Sequence, residues 1–381
     1  MKKVGVLSLR QIHHSLHVAP IAFELSMRPG YEVTLYTSYQ VAADFLRELS
    51  SYYPDHNCRI AVLDPPWWQF VFNVKRRVYP RPSSVLKHNA DELLALDAII
   101  SSDYYSLRLL DLRVGSRPFF IKTPHGAGTR AYGFKDTLGR YDLLLGPGAY
   151  FRNRLCQMGV LEHVDLKLVG HPKFDIIDRI HQKPTKLFDN DHPVVVYNPH
   201  FQGDLSSWPK WGKQVLDFFS HNSQFNLIFA PHINLFARKR TDPRLSEKHF
   251  HAANILIDLG SSASVDMTYT YNADLYLGDV SSQVQEFIHR PRPCIFLNSH
   301  GVDWRNNINY ECWNLGRVLN SLDELGDALR DAFAGNDPYR GVQLETFRHV
   351  FADGNEPASV RSANAITELL EAAEEDRKFS E

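Results

Sequence analysis

The sequence predicts an α/β protein built from two doubly wound parallel sheets, and three observations carry that expectation. Short β-branched or apolar runs recur along the chain, each followed by a polar, glycine-rich loop and then a helical pattern, the order of βα units around a parallel sheet. The runs fall into two consecutive series, separated by charges and prolines near 178–192 that read as a linker. The length of 381 residues exceeds what one hydrophobic core usually serves, so two domains are expected.

In the first series, strands are expected over 4–9 (VGVLSL), 32–37 (EVTLYT), 98–102 (AIISS), 118–123 (PFFIKT) and 142–146 (DLLLG). Between the first two, Val18, Ile21, Ala22 and Leu25 recur at helical spacing and Pro29-Gly30 ends the helix, giving an opening βαβ. The second series places strands over 194–198 (VVVYN), 226–230 (NLIFA), 254–259 (NILIDL), 273–278 (ADLYLG) and 293–298 (PCIFLN). The last segment puts Val360, Ala363, Ile366, Leu370 and Ala373 on one face of an amphipathic helix. The division expected is a Rossmann-like domain over 1–180, a second over 190–355 and a closing helix over 356–381, with the two domains facing a cleft.

Composition excludes several classes of function. The net charge is −2 with both signs spread along the chain, which is not the one-sided basic footprint of a nucleic-acid binder. Cys58, Cys156, Cys294 and Cys312 lie far apart with no CxxC spacing, against a disulfide framework or a zinc knuckle, and a reducing cytoplasm fits them. The start, MKKVGVLSLRQIHH, is broken by Arg10 and is too short for a signal peptide. No apolar run reaches the roughly 18 residues that span a bilayer, so any membrane contact is expected to be peripheral, at the inner face. The stretch 64–82 interleaves Trp67, Trp68, Phe70 and Phe72 with Lys75, Arg76 and Arg77, a mixture that suits either an anionic membrane surface or a half-buried loop with a basic rim.

The chemistry-bearing residues gather at strand ends. His125 (KTPHG), His171 (VGHPK), His200 (YNPHF) and His232 (FAPHI) each stand beside a proline just past an apolar run. In open parallel sheets ligands bind outside the carboxyl ends of the strands, so topology brings these four toward a site. Histidine titrates near neutral pH and can serve as a general base, and recurrence at four strand ends argues against four unrelated loop histidines. After the run ending at Gly278, Asp279-Val280-Ser281-Ser282 leads into a helix carrying Val284, Phe287 and Ile288. Ser282 and Gln285 have capping-box spacing, while free N–H groups, the dipole and the serine hydroxyls at such a helix start also suit a phosphate or diphosphate. Glu286, one turn in, is read either as a ligand for a ribose or acceptor hydroxyl or as a surface carboxylate. His13 and His17 have i, i+4 spacing after the first strand, but no acid completes a ligand set locally, and neither a metal nor a cofactor is expected.

In their order, PHGAG, VGHPKFD, PHF, APHINLF, DVSSQVQEF and FADGNEPASVRSANAI resemble the CDP-glycerol glycerophosphotransferases, the teichoic acid primases and polymerases. The resemblance covers roughly 119–370, and the first 118 residues look like the generic opening of a GT-B fold. It implies an enzyme with an N-terminal acceptor domain and a C-terminal nucleotide-donor domain, taking a CDP-linked alditol as donor and a glycan or lipid-linked precursor as acceptor. It also implies that His125, followed by Gly126, is the base and that His232 is the second histidine of the site. Gly170, Pro172 and Asp175 match a Gly-x-Pro-x-x-Asp element, and Asp279, Ser281, Ser282 and Glu286 match the donor-binding turn. Gly126, His171 and His200 join the donor side, and His13, His17 and Arg130 the acceptor side. The chain departs from the family at Pro199-His200-Phe201-Gln202, where Pro-Thr-Trp-Arg is usual, and at Val280, where tyrosine is common. A GT-B glycosyltransferase, a nucleotide-sugar 2-epimerase, or an inactive nucleotide-binding partner in a glycan assembly or export complex stand as alternatives.

Overall fold

The computed structural model describes residues 1–67, 69, 80–112, 117–126, 134–183, 185–236, 242–335, 337–352 and 354–380. The described residues divide into two compact units, one holding those up to Ile180 together with those from His349 onward, the other those of His181–Arg348.

In the first unit, seven strands form one sheet: β1 (Lys2–Leu7), β2 (Tyr31–Thr37), β3 (Arg59–Val62), β4 (Ala98–Ser101), β5 (Phe119–Lys122), β6 (Leu143–Gly146) and β7 (Asp165–Leu168). All pairs are parallel, in the order β3-β2-β1-β4-β5-β6-β7. The second unit repeats the scheme with β8 (Val194–Asn198), β9 (Asn226–Phe229), β10 (Ile255–Ile257), β11 (Leu275–Gly278), β12 (Cys294–Leu297) and β13 (Arg317–Leu319), in the order β10-β9-β8-β11-β12-β13. In each sheet the chain works outward one way and then reverses, between β1 and β4 and between β8 and β11. Those are the switch points at which a doubly wound sheet opens a crevice.

Strand periodicity builds the cores. In the second unit Val195, Tyr197, Leu227, Phe229, Leu275 and Leu277 enter one cluster. Their neighbours Val196, Ile228, Tyr276 and Phe296 enter another on the opposite face. Both faces are covered, so these strands read as continuous apolar runs. The ten expected strands are present, their ends within two residues of expectation. Three more, β3, β7 and β13, were not anticipated, and all three are sheet edges. Their sequences, RIAV, DLKL and RVL, alternate or shorten because an edge strand has no neighbour on one side and buries less.

The closing helix, Ala358–Ser380, buries Ala363, Ile366 and Leu370 as expected and packs on the helices Ile12–Ser26 and Pro172–Ile180. The chain returns to the first unit before residue 356. The Ala352 N–H donates to the Pro147 carbonyl at 2.5 Å, and a methyl group at Gly148 would collide with the Val350 backbone. The Gly-x-Pro-x-x-Asp element is the dock for this return. Gly170 has φ +86° and leaves room only for the Ala352 carbonyl and the Arg361 guanidinium. Asp175 accepts from the Ser359 N–H at 2.6 Å, capping the first turn of the closing helix. Asp175→Ala is therefore expected to lower stability by about 1 kcal/mol, read from denaturant unfolding, with Asp175→Asn closer to the parent. Equal stability of Asp175→Ala and the parent would remove the capping role.

Candidate functional site

At the switch point of the first unit, parallel register sets Leu7 opposite Ser101 and Ser101 opposite Lys122, so the residues just past these strands converge. His125 leaves β5 through Thr123-Pro124 and is followed by Gly126 at φ +98°, a left-handed turn that glycine adopts readily. Its Nδ1 lies 2.8 Å from the Ser102 carbonyl oxygen. A carbonyl only accepts, so Nδ1 carries the proton and Nε2 keeps its lone pair, the form a general base needs. The residue is exposed, and one face of its ring is covered by His14. Enclosure, the Lys122 charge and that of Arg10 push its pKa down to about 4, partly opposed by the Ser102 bond.

His14, in the first turn of the helix Ile12–Ser26, stacks on His125 with ring centroids 4.2 Å apart and planes 21° apart. It is buried and lies 3.4 Å from the Ser102 hydroxyl through Nδ1, with its pKa well below the usual imidazole value because of burial and the neighbouring positive groups. Of the histidine cluster after β1, the structure thus brings His14 to His125. His13 meets the edge of His14 at 4.6 Å, while His17 packs on His171 at 5.0 Å, within an aromatic group that includes Phe174 and Phe351. The two histidines at i, i+4 spacing pack on different partners. Arg130 lies outside the described residues, as does most of 64–82; within that stretch Trp67 is exposed and Gln69 accepts from the Arg81 N–H.

In the second unit the strand ends at the switch point are tied together by side chains. Asn198 donates to the Ala230 carbonyl at 2.6 Å and accepts from Tyr276 Oη at 3.3 Å, joining β8, β9 and β11. Asp279 is fully buried, and its Oδ2 accepts from the backbone N–H groups of His200 (2.9 Å) and Ser207 (2.8 Å). The carboxylate thus lies beneath the His200 loop and holds it. Burial pushes its pKa up to about 7 despite those two bonds.

His200 Nδ1 accepts from the Gln202 N–H at 3.1 Å, and His232 Nδ1 accepts from the Asn234 N–H at 3.2 Å. In both neutral rings the proton is on Nε2, the opposite tautomer to His125. These two histidines present donors where His125 presents an acceptor. Phe201, 40% exposed, lies 4.6 Å from each of the two imidazoles. Sequence reasoning met Phe201 only as a departure from a motif; its position beside two strand-end histidines is the signal that marks it.

The serine turn differs from expectation. The helix after it, Gln283–Phe287, has five residues, so few peptide dipoles add at its start. The capping box of Ser282 with Gln285 does not form. Ser281 Oγ accepts from the Gln283 N–H at 3.2 Å, Ser282 is exposed, and Gln285 is buried. Glu286 is buried rather than a surface carboxylate.

No protein-family model matches the chain, and no curated protein sequence matches it. Solved structures do match along almost its whole length. The wall teichoic acid polymerase TagF, in a histidine variant, superposes with TM-score 0.63 at 12% identity over 98% of this chain and 90% of that one. The S. aureus protein MnaA in complex with UDP gives 0.61 at 15% identity over 97% of both chains. UDP-GlcNAc 2-epimerase from Neisseria meningitidis, bound to UDP-GlcNAc, gives 0.56 at 12% identity over 97% of this chain and 99% of that one. The chain therefore has the fold of these GT-B proteins, two Rossmann-like units of parallel sheet with flanking helices.

Proposed function

We propose that the protein is a GT-B transferase that moves glycerol phosphate, or a related alditol phosphate, from a CDP-linked donor to a hydroxyl of a cell-surface glycan or lipid-linked precursor. The observation that carries this reading is the tautomer of His125: the proton on Nδ1 is committed to the Ser102 carbonyl, and Nε2 is left to accept. In the reaction Nε2 takes the proton of the acceptor hydroxyl as that oxygen bonds to the phosphorus bearing the alditol. The bond from that phosphorus to the bridging oxygen breaks, and CMP leaves with the electron pair. His232 and His200, as Nε2–H donors, and Ser281 and Ser282 would offset charge on the diphosphate, the positioning and electrostatic work that phosphoryl transfer chiefly needs. His171 and Glu286 on the donor side, and His13, His17 and Arg130 on the acceptor side, remain proposals of the same reading. With no described helix long and apolar enough to cross a membrane, a lipid-linked acceptor would be met peripherally, through 64–82.

A second reading has its own support. The fold match to UDP-GlcNAc 2-epimerase spans nearly all of both chains, which suits isomerisation of a nucleotide-sugar on the same scaffold. Nucleotide preference and product separate the two. At 100 times its Kd a bound ligand adds about 2.7 kcal/mol of stability, so a thermal-shift panel of CDP-glycerol, CDP-ribitol, CMP, CDP, UDP and UDP- or GDP-sugars will show the preferred base. Stabilisation by cytidine compounds, with CMP released on addition of acceptor, is the expected result. Stabilisation by UDP compounds alone overturns the donor assignment, and tight binding with no turnover on any acceptor indicates an inactive nucleotide-binding partner.

A further inference from the structure

Lys122, the last residue of β5, is 3% exposed, and no carboxylate among the described residues lies within ion-pair distance of it. Its Nζ donates to the Ser102 carbonyl at 2.7 Å and to the Thr123 carbonyl at 3.0 Å. The Ser102 oxygen is the same atom that accepts the His125 Nδ1–H at 2.8 Å, so ammonium and imidazole share one acceptor. A buried amine without an ion pair is costly to keep, and beside a candidate base it marks a functional arrangement.

We propose that Lys122 is the positioning residue of the His125 base: its ammonium holds the Ser102 carbonyl where it fixes the Nδ1–H tautomer, and its charge keeps the imidazole in the neutral, proton-accepting form. The role in catalysis rests on the transferase reading, whereas the coupling between the two side chains does not. The surroundings favour it. Tyr104 covers the ammonium with its ring centroid 5.1 Å from Nζ, and Lys135 lies on the same ring at 4.8 Å. Arg10 and His14 add positive or neutral groups around His125, and Tyr141 donates to the backbone of Asp103. Asp103 is the counter-charge acting on Lys122; it is itself buried, and its Oδ1 accepts from the Tyr105 N–H.

Burial holds the Lys122 pKa down at about 7. Below that pH the amine is charged, which covers the range in which an ordinary histidine, near 6.5, would take a proton. Histidine-selective NMR reads both parts of the proposal. In the parent, His125 should show the Nδ1–H tautomer, a protonation midpoint well below 6.5, and a second inflection near pH 7 as Lys122 loses its proton.

In Lys122→Met that second inflection should vanish, the midpoint should rise by about one unit or more, and the Nδ1–H tautomer should lose its dominance. Lys122→Arg keeps the charge and should keep the low midpoint. In turnover, Lys122→Met should lower kcat about tenfold with little change in KM, and Lys122→Arg should restore part of it. A His125 midpoint and tautomer both unchanged in Lys122→Met overturns the proposal. Altered His125 resonances with no transfer by any variant would leave the coupling standing and sink the transferase reading instead.

Discussion

His125→Ala is expected to cut turnover by about 10²-fold or more while leaving nucleotide affinity nearly unchanged. The reason is local. Only one imidazole nitrogen can act as base, and the Ser102 carbonyl, reached from 23 residues away, commits the other to donation. The pH profile carries a second, sharper expectation. An imidazole held at about 4 stays neutral across the physiological range, so the acidic limb of kcat/KM should fall below pH 5 rather than near 6.5. A base this weak is helped when an anionic phosphate binds beside it, because negative charge favours the imidazolium that forms in the transition state. The limb of kcat, which reports the complex with substrate, should therefore lie at higher pH than that of kcat/KM. An active His125→Ala protein, or an acidic limb unaffected by the substitution, would remove His125 from the chemistry.

Asp279→Ala is expected to destabilise the second unit by about 2–5 kcal/mol. The Asp279 Oδ2 atom is the acceptor for two buried backbone donors, those of His200 and Ser207, and an alanine leaves both without a partner. Asp279→Asn supplies a carbonyl oxygen at the same place and, at acid pH where the parent carboxyl is protonated, should stay within about 1 kcal/mol of the parent. The two variants also differ in pH dependence. The folded pKa of Asp279, about 7, lies above its unfolded value near 3.8, so the folded state binds the proton more tightly. Its contribution is fully present below pH 3.8 and is lost as pH rises through 7. The parent should lose stability from this source over that interval and Asp279→Asn should not. Denaturant unfolding at pH 5 and pH 8 measures both, and equal stability of Asp279→Ala and Asp279→Asn at either pH would mean that the two bonds hold nothing. Asp279 is thus proposed to act on the nucleotide through the His200 loop that it fixes.

Much of the candidate site was legible in the sequence because strand ends are legible. A run such as VVVYN or LYLG, buried on both faces, has nowhere to be except inside a parallel sheet, and the residue after it must emerge at the crevice. That logic found His125, His200 and His232. It failed where burial is one-sided, at the edge strands β3, β7 and β13, and where several candidates crowd one helix turn. The His13, His14 and His17 cluster was legible as a cluster. Spacing favoured the pair at i, i+4, but the rotation of the helix against β4 decides which ring faces Ser102, and that ring belongs to His14. The serine turn misled in a different way: a capping-box spacing guarantees neither the box nor a long helix behind it, because the preceding serine can take the cap.

Sequence by itself determined the two parallel sheets, the approximate ends of ten strands, and the set of histidines and serines that follow them, because apolar runs and their punctuation are local properties of the chain. Tertiary structure decided the chemistry those residues can do. The proton sits on Nδ1 of His125 and on Nε2 of His200 and His232 because of particular backbone groups, one of them 23 residues distant. Lys122 is buried beside His125, the candidate base, and Asp279 lies under the loop it supports, 79 residues from His200 in sequence. Protonation state and tautomer depend on which atoms lie within about 3 Å, and folding brings those atoms together from parts of the chain that share no local pattern.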